Sequence, residues 1–177
     1  MNAYLLKVKY WLKEILIFVI LTLMISLIIS YFRQPNLSFT KLPLISGTLI
    51  DKSDFSTDRW LVKKRDNKPM LIYFWGTWCP MCTLQSPIIN SLSSEVEVLS
   101  IAINSGPSKQ LEQYMAKKGF LFNVLNDQKK QWSRFFQVTA YPTVFLFDRS
   151  GKLHFAEVGY TSKLGLKARL AWMDLTH

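Results

Sequence analysis

Two cysteines are the only thiols of the chain, and they stand three apart in Trp78-Cys79-Pro80-Met81-Cys82. A compact apolar run, residues 70–75, precedes them, and a segment with helical spacing, residues 79–94, follows. Both thiols therefore fall at a helix start, close enough to bridge. The first meets backbone N–H groups that no helical carbonyl satisfies, at the positive end of the helix dipole, and both favour a thiolate. Cysteines in such surroundings have pKa values lowered to about 3.5–7.5. The thiolate is the nucleophile of disulfide exchange, so Cys79 is expected to attack a partner disulfide. Cys82, one turn in and more buried, is expected to resolve the mixed disulfide intramolecularly. Other readings stay open on these residues alone. The pair is half of a tetrahedral zinc site, for which His154 and His177 would have to supply the rest. It also fits a structural disulfide, although so short a loop removes little chain entropy. Copper binding by the pair is weaker, because no further His or Met cluster lies nearby in sequence.

The elements that must position the thiols follow from periodicity. Residues 70–75 read as a strand buried on both faces, and 96–103 as a second. Residues 79–94 carry Leu84, Ile88, Ile89 and Leu92 at helical spacing, with Pro87 inside to kink the helix. Residues 108–118 read as a helix with Ser108 as a possible cap, Leu111, Tyr114 and Met115 inward, and Gly119 as its stop. A short strand at 121–125 and a short helix at 129–136 follow. Strands at 143–148 and 153–158 flank the turn Arg149-Ser150-Gly151. Residues 162–175 close as an amphipathic helix with Leu164, Leu166, Leu170 and Trp172 or Met173 inward. Upstream, 42–50 carries Pro43 and Gly47 and suggests short irregular or edge strands, and Thr57 or Asp58 is placed to cap a short helix through Trp60, Leu61 and Val62. Phe120, Phe122, Phe135 and Phe136 read as core. Alternation of β and α elements indicates an α/β sandwich with a mixed sheet.

Residues 15–32 carry no charge, and as a helix they would be about 27 Å long, near the hydrocarbon thickness of a bilayer. Tyr10 and Trp11 flank one end, Tyr31 and Phe32 the other. Lys7, Lys9 and Lys13 precede the run and only Arg33 follows it closely, which places residues 1–14 in the cytoplasm and 33–177 outside. A cleaved signal lacks a small-residue cut site here, and a buried helix would show a polar face. The expected division is a cytoplasmic N-terminus (1–14), a transmembrane signal anchor (15–32), a linker (33–41) and one domain (42–177). Outside the membrane the compartment is oxidising.

The segment Phe74-Trp75-Gly76-Thr77-Trp78-Cys79-Pro80-Met81-Cys82, with Pro87 five residues on, resembles the active site of thioredoxin-fold proteins. Val138-Thr139-Ala140-Tyr141-Pro142-Thr143 resembles that family's cis-proline loop, with Val144-Phe145-Leu146-Phe147-Asp148, Gly151 and Val158-Gly159 following in order. The helix and strand added between residues 103 and 128, with the N-terminal segment, are similar to the TlpA/ResA/DsbE-like branch of membrane-anchored bacterial thiol-disulfide oxidoreductases, and to the ScsD-like group. The resemblance implies a thioredoxin fold with a central helix-strand insertion behind one transmembrane helix, in the bacterial inner membrane with its domain periplasmic. It implies Cys79 and Cys82 as catalytic, and no cofactor beyond their disulfide. Trp78, Pro80, Met81, Tyr141 and Pro142 would form the substrate-binding surface, with Pro142 cis and the Tyr141 backbone presented to an extended partner segment. Protein disulfides or dithiols would be the substrates and a membrane electron donor a partner. Reduction is the leading direction; a disulfide oxidase or a redox-silent binding module are the alternatives. Two positions depart from the pattern. Tyr73 stands where many thioredoxins carry a buried acid, and Gln85 where the ResA-like branch carries Glu, so neither titrates usefully and proton transfer to Cys82 falls to water.

Composition agrees. A hydrophobic fraction of 49% with 14% aromatics excludes disorder, and a single apolar run excludes a polytopic membrane protein. Net charge is +10, but Lys7, Lys9, Lys13 and Glu14 lie in the first 32 residues, leaving +8 beyond. Lys63-Lys64-Arg65, Lys117-Lys118 and Lys129-Lys130 are separated clusters, read as solvated faces. Nucleic acid is not an expected partner.

Overall fold

The computed structural model describes residues 9, 11–22, 24, 25, 39–63 and 68–175. The chain divides into two compact units, Met1–Gln34 and Pro35–His177. In the first, residues 11–22 form helix α1. The Thr22 hydroxyl donates back to the Phe18 and Val19 carbonyls at 3.0 and 2.8 Å. Of the expected membrane span, residues 23 and 26–32 lie outside the described residues. Among the described residues, no helix is long and apolar enough to cross a membrane.

The second unit runs β1 (Ser46–Thr48), β2 (Asp54–Ser56), α2 (Thr57–Lys63), β3 (Met70–Trp75), α3 (Pro80–Leu92), β4 (Glu97–Ile103), α4 (Ser108–Lys118), β5 (Asn123–Asp127), α5 (Gln131–Phe135), β6 (Thr143–Phe147), β7 (Leu153–Val158) and α6 (Lys163–Leu175). A five-stranded sheet takes the order β5-β4-β3-β6-β7, and β1 and β2 pair separately. Strands β3, β4 and β5 are parallel, whereas β6 is antiparallel to β3 and β7 antiparallel to β6. This is the thioredoxin-like α/β fold. The expected insertion is α4 and β5, and β5 occupies the sheet edge beside β4.

Every residue of β3 is buried, because apolar layers cover both of its faces. Leu71, Tyr73 and Trp75 face a layer that holds Cys79, Cys82, Ile89, Leu111, Leu166 and Leu170. Met70, Ile72 and Phe74 face the opposite layer, with Ile45, Phe136, Phe145 and Phe147. The parallel strands end at one edge, and α3 leaves from the end of the central one, where open α/β sheets place their sites.

Several local expectations shift. Residues 39–41, read as the end of a linker, are held in the domain. Phe39 packs on Phe135 and Phe136, Lys41 bridges to Lys152, and the Thr40 carbonyl accepts from the Leu153 N–H at 2.8 Å. Strand β5 starts two residues later than expected. The N-cap of α4 is Pro107 without a side-chain bond; the Ser108 hydroxyl instead accepts from Asn126 Nδ2 at 3.2 Å. The Thr57 hydroxyl does not cap α2: it accepts from the Ile45 N–H at 2.9 Å and donates to the Pro43 carbonyl at 2.8 Å. In α6, Leu166, Leu170 and Met173 are buried while Leu164 is 79% exposed. Phe122 and Phe136 are core, but half of Phe135 is exposed.

Candidate active site

Cys79 is the N-cap of α3, with extended backbone (φ −92°, ψ 112°), and Pro80 opens the helix where its missing N–H costs nothing. The Cys82 N–H donates to Cys79 Sγ at 3.2 Å, so the sulfur takes the place of a capping oxygen. Cys79 and Cys82 are joined as a disulfide, with Cα atoms 5.2 Å apart. Cys82 is fully buried and Cys79 nearly so, while Pro80 and Met81 between them are exposed.

The loop from β3 into α3 is fastened to the end of β4. The Trp78 indole N–H donates to the Ile103 carbonyl at 2.9 Å, and the Thr77 N–H donates to Ser105 Oγ at 3.0 Å. Ser105 Oγ in turn donates to the same Ile103 carbonyl at 3.1 Å. Gly76 is required by this arrangement: a Cβ there would lie 2.5 Å from Trp78 Nε1 and 3.1 Å from the Ile103 carbonyl oxygen. Trp78 is 53% exposed, and its ring meets Tyr141 edge-on at 5.6 Å.

Tyr141 belongs to the loop that enters β6. Thr143 pairs opposite Phe74, so this loop stands at the same sheet edge as the disulfide. The Tyr141–Pro142 peptide bond is cis. The Thr143 hydroxyl donates to the Ala140 carbonyl at 2.8 Å, and the Gly159 N–H donates to the Pro142 carbonyl at 2.8 Å. Gly159 has φ +96°, a conformation glycine adopts without strain. Burial raises the Tyr141 phenol above its ordinary value, with a hydrogen bond from Ser133 opposing.

Beneath the disulfide, the Tyr73 hydroxyl donates to the Cys82 carbonyl at 3.3 Å and pairs with the Ser86 hydroxyl at 3.0 Å. Burial pushes the Tyr73 phenol well above its ordinary value, so it stays protonated and remains a donor. Gln85 is fully buried, and its Oε1 accepts from the Thr161 N–H at 2.8 Å. The buried face of α3 is Cys82, Gln85, Ser86, Ile89 and Leu92, whereas Leu84 is 60% exposed. Apolar periodicity assigned Leu84 inward and missed Ser86, although Ser86 stands one turn beyond Cys82. Ser105 and the Ile103 carbonyl have no local signal; only sheet topology brings them to Trp78.

The zinc set is not brought together. The two sulfurs are bonded to each other, and His154 Nε2 pairs with the Asp148 carboxylate at 2.8 Å. His177 lies outside the described residues. Among the described residues, no group of three or more His, Cys, Asp or Glu side chains is placed to hold a metal. A dithiol pair exchanges disulfides without one, or any other cofactor.

A redox disulfide at the N-terminus of a helix, issuing from the central strand of a mixed sheet beside a cis-proline loop, defines a thioredoxin-like thiol-disulfide oxidoreductase. The chain belongs to the AhpC/TSA family, whose model matches residues 41–156. It is 35% identical over 142 residues to a thioredoxin-like protein of Haemophilus influenzae, covering 78% of this chain and 84% of that one. It is 30% identical over 108 residues to the thiol-disulfide oxidoreductase ResA of Geobacillus thermodenitrificans, covering 58% of this chain and 62% of that protein, less than two thirds of its length. A solved thiol:disulfide interchange protein of the thioredoxin family from Chlorobium tepidum superposes with a TM-score of 0.65 at 25% identity, covering 76% of this chain and 95% of that one.

Proposed function

We propose that this protein is a membrane-tethered, extracytoplasmic reductase of protein disulfides. The observation that carries the reading is the Cys79–Cys82 disulfide at the start of α3, at the same sheet edge as the cis Tyr141–Pro142 loop. The tether is residues 15–32, supported by their charge-free composition and by the lysines that precede them. A tether suits electron supply by a membrane-bound dithiol donor in an oxidising compartment.

In the reduced protein, the Cys79 thiolate attacks one sulfur of the client disulfide, and the client's other sulfur leaves as a thiolate and takes up a proton. Cys82 then loses its proton, and its thiolate attacks Cys79 Sγ. The second client sulfur leaves, and the disulfide seen here is regenerated. Two electrons pass to the client, and the donor restores them. Pro142 has no N–H, and Tyr141 precedes the β6 ladder, so the loop offers backbone to an extended client segment. Trp78 and Met81, next to the cysteines in the chain, supply exposed apolar surface.

The test is turnover of a disulfide-bonded protein by the full chain with a dithiol donor. Cys79→Ala is expected to abolish it, and Cys82→Ser to stop it at a mixed disulfide through Cys79. Absence of exchange by the unmutated chain, or unchanged turnover in Cys79→Ala, overturns the reading.

A further inference from the structure

Gln85 lies three residues beyond Cys82 on the buried face of α3, and positions so spaced share one side of a helix. Both side chains are fully buried. Because a backbone N–H only donates, the bond from Thr161 fixes which end of the amide is oxygen. Nε2 is the other end, shut away from solvent without an acceptor. A buried donor without an acceptor destabilises the state that contains it, here the disulfide state. The Tyr73 hydroxyl is taken by Ser86 and the Cys82 carbonyl.

Breaking the S–S bond frees the Cys82 side chain to rotate and leaves its sulfur a separate thiol or thiolate, the latter a stronger acceptor than a disulfide sulfur. We propose that Gln85 is a positioning residue of the exchange reaction: its Nε2 donates to the Cys82 sulfur in the reduced state, a hydrogen bond that the disulfide state lacks. In reduction by a dithiol, two electrons and two protons enter, both sulfurs end as thiols, and the donor becomes a disulfide. In resolution the Cys82 proton goes to solvent, the Cys82 thiolate bonds to Cys79, and the client thiolate leaves. Gln85 neither takes nor gives a proton. It holds the sulfur with a neutral dipole and weights the pair toward its reduced form.

The inference rests on thiol-disulfide exchange at Cys79–Cys82, and its test is the redox equilibrium of the full chain with glutathione. Gln85→Leu is expected to shift that equilibrium about fivefold or more toward the disulfide. Thr161 loses its partner in both redox states, so that loss cancels. Gln85→Glu keeps an acceptor for Thr161, and its carboxyl, protonated in this buried site, still offers a donor, so it is expected to shift the equilibrium less than Gln85→Leu. In the unmutated chain, the side-chain amide resonances of Gln85 are expected to move on reduction and their hydrogens to exchange more slowly. A folded Gln85→Leu with an unchanged equilibrium overturns the proposal, as do amide signals identical in the two states. The second measurement decides if the variant does not fold. An unmutated chain that exchanges disulfides beside an unaltered variant sinks this inference alone; one that does not exchange sinks the function with it.

Discussion

The Tyr73 hydroxyl donates to the carbonyl of Cys82, 3.3 Å away, linking the central strand to the first turn of the helix that carries the disulfide. The same hydroxyl holds Ser86 Oγ at 3.0 Å. Removing it leaves a buried serine hydroxyl unpaired. Tyr73→Phe is therefore expected to lower stability by about 1–3 kcal/mol, read by urea unfolding of the oxidised chain. An unfolding curve that superposes on the parent's would contradict this role.

Gly76 makes room for the Trp78 indole. In Gly76→Ala the new Cβ forces Nε1 off the Ile103 carbonyl and moves the ring from beside Tyr141. Turnover is expected to fall about tenfold, the equivalent of one lost hydrogen bond at about 1.4 kcal/mol, in a chain that still folds. Trp78→Phe, which removes the N–H and the pyrrole half of the ring but leaves Gly76 in place, is also expected to lower turnover; full activity in both would place the indole outside the reaction.

Asp148 organises the β6–β7 turn. Burial opposes its ionisation, but hydrogen bonds from Ser150, His154 and Lys152 prevail and hold its pKa at about 2 against an ordinary 3.8. A depressed carboxylate stabilises the folded state fully above its unfolded value. The stabilisation disappears as pH falls from 3.8 through about 2. It amounts to roughly 2 kcal/mol. Asp148→Asn is expected to lose about that much at pH 7, with the gap to the parent closing across this window in urea unfolding at stepped pH. A gap independent of pH contradicts the assignment.

The proposed tether makes a topological prediction. A reporter that is active only outside the cytoplasm, fused after His177, is expected to be active. Activity of a cytoplasm-only reporter at the same junction would reverse the orientation.

Much of this was legible in the residues. Met70–Trp75 is apolar without alternation because both faces are covered, and Gly119 stops α4 because it takes φ +67°, where a side chain is strained. Cys79 and Cys82 announce their chemistry by spacing. What stayed hidden depended on partners distant in sequence. The inward face of α3 contains Gln85 and Ser86 because Thr161 and Tyr73 reach them, and neither contact has a local trace. Leu84, apolar and at helical spacing from Ile88, is 60% exposed instead. Strand β1 lies within 42–50, read as short irregular or edge strands, whereas β2 went unread because a strand of three residues carries too little periodicity.

The most direct test of the account is the reduction potential of the Cys79–Cys82 pair in the full chain, measured against glutathione or dithiothreitol. A reductase fed by a membrane donor predicts a value near that of thioredoxin, about −270 mV. A value near about −120 mV, that of a strong disulfide oxidant, would contradict it.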